Sequence, residues 1–229
     1  MTINAELLVR ILDINKDLII ESTPDNHCPK FGEDHILGCG EFGCVFETKS
    51  NNIVFKLTTD PKEYKFVIDS MNLGEWPEGM IQYYQAMKLD SAFTRIDFYG
   101  LWRESAENVG SLSDTEVNPN FLNVLDTCWK IVNEIRHDYD EYNDGIFFTG
   151  SCDWIRDQVD RYINSTRFYA GEFDSILHAM RWYARRGILL GDVHLGNFGK
   201  VKRDGDWIWV ITDPGFALFV EDEILKDVC

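Results

Sequence analysis

The sequence predicts an α+β protein in two parts, a β-rich first portion followed by a helix-rich remainder. Short runs of branched and aromatic residues punctuated by turn signals cluster between residues 35 and 103. Apolar residues at helical spacing dominate residues 119–186 instead. A chain of 229 residues with 45% hydrophobic and 14% aromatic content has the material for one large domain or two small lobes.

Residues 4–16 open the chain as an amphipathic helix, with Leu7, Leu8, Ile11, Leu12 and Ile14 as its apolar stripe. Pro24 and Pro29, with Asp25 and Asn26 between them, mark a loop that closes at Gly32. Residues 35–47 read as strand, Gly-rich turn and strand, and Asn51-Asn52 turns the chain back into Ile53–Leu57. Asp60-Pro61 is a helix start, an N-cap followed by proline at the first helical position. Tyr64, Val67, Ile68 and Met71 continue that helix, and 80–89 and 94–103 follow as two strands.

In the second part, 119–141 carries Phe121, Leu122, Leu125, Trp129, Val132 and Ile135 at a helical period. Further helices are expected over 152–165 and 172–186. Past Gly187 come short strands, Ile188–Leu190 and then Trp207–Ile211 after an Asp204-Gly205 turn.

The 39 acidic residues against 22 Lys and Arg give a formal net charge of −17. Such a surface repels phosphate backbones and anionic lipid, so nucleic acid and membrane are not expected as partners. Acidity suits solubility, and equally a basic protein partner. No cationic segment followed by an apolar run opens the chain, and no run is long enough to span a bilayer, so a cytoplasmic protein is expected. Cys28, Cys39, Cys44, Cys128, Cys152 and Cys229 form no C-x-x-C pair, so free thiols are expected and a zinc site is not.

Three clusters carry chemistry. Gly38, Gly40 and Gly43 followed by Val45 form a G-x-G-x-x-G-x-V. The same glycines occur in dinucleotide-binding turns, but there the last one opens a helix. Here Cys44–Glu47 continues as strand, so the loop joins a hairpin, the form of a flap over nucleotide phosphates. A glycine-rich hairpin with no function is the plainer alternative. Lys56 lies within the apolar run Ile53–Leu57, where a charge is costly unless paired. Beside a flap its ammonium would meet the α/β-phosphates, with Glu63 as the nearest carboxylate to hold it and Glu75 as the second choice.

The third cluster is Gly191-Asp192-Val193-His194-Leu195-Gly196-Asn197, followed by Asp213-Pro214-Gly215. The spacing of Asp192 and Asn197 lets one loop present a base to an acceptor hydroxyl and an amide oxygen to a metal. Asp213 ends the β-forming run Trp207–Thr212, and Asn and Asp oxygens suit Mg²⁺. An iron site built on Asp192 and His194 lacks a third ligand and leaves Asn197, Asp213 and Lys56 without a role. Loop capping is the ordinary reading of each Asp or Asn taken singly.

In this order the flap, Lys56, G-D-V-H-L-G-N and T-D-P-G resemble the protein-kinase-like superfamily over roughly residues 33–216. The D-x-H-x-G-N loop is similar to that of aminoglycoside phosphotransferases and bacteriophage-encoded kinases, and Ile211-Thr212-Asp213-Pro214 favours the latter. The resemblance implies a two-lobed fold: an N-terminal extension over 1–32, a β-rich lobe over 33–104 and a reduced helical lobe over 105–229, with a hinge within 104–108. It implies an ATP:Mg²⁺ phosphotransferase in which Lys56 contacts phosphate, Asp192 serves the acceptor, and Asn197 and Asp213 hold metal. Its expected acceptor is a protein Ser/Thr hydroxyl, with a basic or host-derived protein as partner in a host cytoplasm. A small hydroxyl-bearing molecule as acceptor, or a kinase-fold binding module acting through its acidic surface, are the alternatives. Leu190 and Pro214 depart from the commoner His and Phe. Only residues 216–229 follow Gly215, so no activation segment is expected.

Overall fold

The computed structural model describes residues 5–91, 94–108, 118–142, 152–186, 188–190, 193–214 and 217–219. It is a mixed α+β structure with six α-helices and a five-stranded antiparallel sheet among these residues. The chain divides into two compact units, Met1–Glu75 with Gln82–Ser105, and Trp76–Ile81 with Ala106–Cys229.

The first unit is built on β1 (Ile36–Cys39), β2 (Gly43–Glu47), β3 (Ile53–Thr58), β4 (Tyr83–Leu89) and β5 (Phe98–Glu104), in the spatial order β1-β2-β3-β5-β4. Side chains alternate between the faces of a strand. Cys44, Phe46, Phe55, Leu57 and Trp102 pack in one cluster with Leu8, Ile11 and Leu12 of α1 (Ala5–Ile14) and Ile19 of α2 (Lys16–Ser22). The N-terminal extension is therefore part of this unit's core, each buried Leu or Ile contributing about 1.5–3 kcal/mol.

The expected 4–16 helix is broken at Asn15, and a second helix begins at Lys16. The buried Asn15 amide donates to the carbonyls of Ile11 and Asp90 at 2.9 and 2.8 Å, and its Oδ1 accepts from the Asp90 amide at 2.6 Å. That pin rotates the stripe, and Ile14 is exposed.

α3 (Pro61–Asn72) starts as expected, with Asp60 Oδ1 accepting from the Lys62 amide at 2.8 Å. It ends before Gly74, whose φ of +69° gives the left-handed residue common after a helix. Phe66 and Val67 are its buried apolar residues, and Glu63 and Ser70 are buried beside them.

The second unit holds α4 (Pro119–Tyr142), α5 (Cys152–Ala170) and α6 (Asp174–Ala184). It also holds a two-stranded pair of β7 (Ile188–Leu190) with β10 (Ala217–Phe219), and a sheet ordered β6-β8-β9. In that sheet β6 is Glu107–Asn108, β8 Phe198–Arg203 and β9 Asp206–Ile211. The Asp204-Gly205 turn has φ of +52° and +99°, matching the turn that suits a two-residue hairpin. Phe121, Phe173 and Phe198 surround Trp209 or one another with ring centroids 4.7–5.6 Å apart.

The buried face of α4 differs from expectation. Phe121, Val124, Cys128, Ile131 and Val132 are buried, while Leu122 and Trp129 are 46% and 56% exposed. Two apolar stripes compete on this helix, and contact with the aromatic cluster selects the one through Phe121. Among the described residues, no helix is long and apolar enough to cross a membrane.

Candidate functional site

Each unit carries part of the motif set. In the first, β1 and β2 form the flap hairpin, with Cys39 directly opposite Cys44 and Gly38 opposite Val45. The Gly40 amide donates to the Gly43 carbonyl at 2.8 Å, closing the tip. Thr59, just beyond β3, donates to the Phe42 carbonyl from its amide at 2.8 Å and its hydroxyl at 3.0 Å.

The three flap glycines are there for different reasons. A Cβ on Gly43 would overlap the Leu57 carbonyl oxygen and lie 2.8 Å from the Thr58 Cα, so only glycine lets β2 approach β3 here. A Cβ on Gly38 or Gly40 would meet nothing within 4 Å, and neither residue has positive φ. Folding does not require glycine at these two positions, which suits a backbone left bare for a ligand. Gly43→Ala is accordingly expected to cost about 1–3 kcal/mol in chemical denaturation. Gly38→Ala and Gly40→Ala should stay near wild-type stability.

Lys56 sits on β3 opposite Val45 of the flap and Leu101 of β5. It is 9% exposed, and its Nζ lies 2.8 Å from Oε1 of Glu63, which is 2% exposed in the first turn of α3. The Tyr83 hydroxyl of β4 donates to the same Oε1 at 3.3 Å. Glu63 thus pairs with Lys56, and Glu75 lies on the exposed surface past the helix. Burying two charges is tolerable only with close pairing and further hydrogen bonds, and Tyr83 supplies one of these. Tyr83 was not legible as a member of this site from sequence.

One expectation is corrected at the flap. Cys39 and Cys44 are joined in a disulfide, not free. The cause is register: a short tip places their Cα atoms 4.1 Å apart across the hairpin. Cys28 and Cys128 are free and buried, and burial pushes the Cys128 thiol up to about 12.

No protein-family model matches the chain, and no curated protein matches its sequence.

In the second unit, His194–Asn197 fold into a turn ahead of β8. The His194 Nδ1 accepts from the Gly196 amide at 3.1 Å, and the Asn197 amide donates to the His194 carbonyl at 2.9 Å. With Nδ1 accepting, a neutral His194 carries its proton on Nε2. The Thr212 amide then donates to the Asn197 carbonyl at 2.8 Å, continuing the β8–β9 ladder by one step. Asn197 and Asp213 are thereby brought to the same end of one hairpin, Asn197 buried and Asp213 half-buried. Their hard oxygens fit a Mg²⁺ ion that keeps several waters. No group of three or more His, Cys, Asp or Glu able to hold a metal occurs among the described residues. Asp192 lies outside the described residues.

Segment 76–81 completes this hairpin's other edge. The Ile81 amide donates to the Ile211 carbonyl at 3.0 Å and the Ile211 amide to the Gly79 carbonyl at 2.9 Å. The Arg203 guanidinium donates to the carbonyls of Glu78 and Met80 at 2.6 and 2.8 Å. A cavity of about 430 Å³ between α4 and α5 contains none of the motif residues. Its Thr127 hydroxyl already donates to Asn123 and meets Thr166, so it is a seam of helix packing.

Proposed function

We propose that this chain is an ATP- and Mg²⁺-dependent phosphotransferase of two-lobed, protein-kinase-like architecture, acting on a protein hydroxyl. The observation that carries this reading is the buried Lys56–Glu63 pair, directly across β2–β3 from a flap whose two outer glycines the fold does not need. A purely structural strand would place an apolar residue at position 56 and avoid the desolvation of two charges.

Lys56 holds the α/β-phosphates as a point charge, with Glu63 and Tyr83 fixing where the ammonium lies. The bare backbone of Gly38 and Gly40 lets the flap close over the phosphates. Asp192 orients the acceptor hydroxyl and takes its proton. Asn197 and Asp213 would hold Mg²⁺, which would neutralise charge on the phosphates. His194 keeps the turn before Asn197 folded, so that Asn197 stays at the hairpin end that carries Asp213.

The test is Mg²⁺-dependent stabilisation by a non-hydrolysable ATP analogue, followed by thermal unfolding. The wild type is expected to gain several degrees at saturating nucleotide with Mg²⁺. Asp213→Ala should lose most of that gain, and an unchanged gain would remove Asp213 from the metal role. A cytoplasmic setting, and a host protein as substrate, follow from the same reading and from the likeness to phage-encoded kinases.

A further inference from the structure

We propose that Cys39 and Cys44 form a reversible dithiol–disulfide site that sets how tightly the flap takes a nucleotide, an inference that rests on the phosphotransferase reading. The two sulfurs are placed unequally. Cys39 is an exposed residue on β1, whereas Cys44 is 4% exposed and packs with Phe46, Phe55 and Leu57. An exchanging thiol reaches Cys39, and Cys44 serves as the leaving and resolving sulfur.

The step balances as ordinary thiol–disulfide exchange. A small thiol, as thiolate, attacks the Cys39 sulfur and breaks the S–S bond, and Cys44 leaves as thiolate and takes a proton from water. A second equivalent attacks the mixed disulfide and releases Cys39. Two electrons pass from the two small thiols, which leave as their own disulfide. A small-molecule disulfide runs the sequence backwards.

The direction of control follows from the tip. The disulfide ring contains only residues 39–44, and inside it the Gly40 amide is spent on the Gly43 carbonyl at 2.8 Å. Thr59 holds the Phe42 carbonyl from the other side at 2.8 and 3.0 Å. To give the Gly40 amide to a phosphate, the tip must open, and the disulfide opposes that opening. The oxidised flap is the weak-binding form and the reduced flap the tight one. Loss of one hydrogen bond to a charged acceptor corresponds to about a tenfold weaker complex.

The experiment uses the full chain poised in reduced or oxidised glutathione, quenched with acid, alkylated and read by mass spectrometry. Binding of a non-hydrolysable ATP analogue with Mg²⁺ is measured in parallel by calorimetry. The pair is expected to titrate between dithiol and disulfide while Cys128, a free thiol at every poise, labels equally throughout. The reduced protein should bind about tenfold more tightly. Cys39→Ser should hold the reduced-state affinity in both buffers, and Cys44→Ala provides a second variant that cannot close the ring. A pair that never opens or never closes overturns the proposal. So does equal affinity in the two states, which leaves the phosphotransferase reading standing. Absence of binding in both states overturns the proposal together with that reading.

Discussion

Glu63→Ala is expected to destabilise the first unit by about 3–5 kcal/mol, because it removes a carboxylate that offsets the buried Lys56 ammonium. Lys56 is 9% exposed, and its Nζ lies 2.8 Å from Glu63 Oε1. Chemical denaturation reads the loss as a lower midpoint at unchanged slope. Glu63→Gln keeps the volume and an acceptor for the Tyr83 hydroxyl, so it should lie between the wild type and Glu63→Ala. The double variant Lys56→Met with Glu63→Leu removes both charges and should recover most of the stability, since apolar replacement of a buried pair is often neutral or better. It should nevertheless lose nucleotide binding. Recovery of fold without recovery of binding separates the functional reason for this pair from a structural one. A double variant that binds nucleotide as the wild type does would remove Lys56 from the site.

Asp192→Ala is expected to slow phosphoryl transfer by about 10²–10⁴-fold, the range for a positioned general base. Its nucleotide affinity should change little, because on the proposed reading the carboxylate acts on the acceptor and not on the phosphates. Single-turnover transfer with bound ATP isolates that step from binding. Transfer at the wild-type rate would reassign the loop, leaving His194 as the first group to replace next.

Parts of this arrangement were legible in the sequence for local reasons. Asp60-Pro61 fixes the start of α3 and so places Glu63 in its first turn, a two-residue loop beyond the strand that carries Lys56. The Asp204-Gly205 turn sets the β8–β9 register, which brings residues 197 and 213 to one end. What escaped was decided by distant contacts. Tyr83 reaches Glu63 only because β4 and α3 pack together. Asn15 breaks the first helix because Asp90 supplies both a carbonyl and an amide for its side chain. On α4 the two apolar stripes differ little in periodicity, and the aromatic cluster around Phe121 chooses between them. The Cys39–Cys44 bridge lay in between. A motif-spacing rule finds no pair there, but counting residues outward from the glycine tip puts the two cysteines opposite each other.

The acidic composition takes a more definite meaning beside these sites. A net charge of −17 disfavours a triphosphate unless local cation offsets it. On the proposed reading, flap amides and Mg²⁺ add to Lys56, which is already buried against Glu63. Nucleotide binding should therefore depend steeply on Mg²⁺.

The central claim is tested most directly by incubating the wild-type chain with γ-labelled ATP and Mg²⁺ in a bacterial lysate, then separating protein from small molecules. Label is expected in the protein fraction on Ser or Thr, lost on chelation of Mg²⁺ and absent with the Lys56→Met, Glu63→Leu double variant. Label in the small-molecule fraction alone would contradict a protein acceptor. Label in neither, with none on the chain itself, would contradict the phosphotransferase.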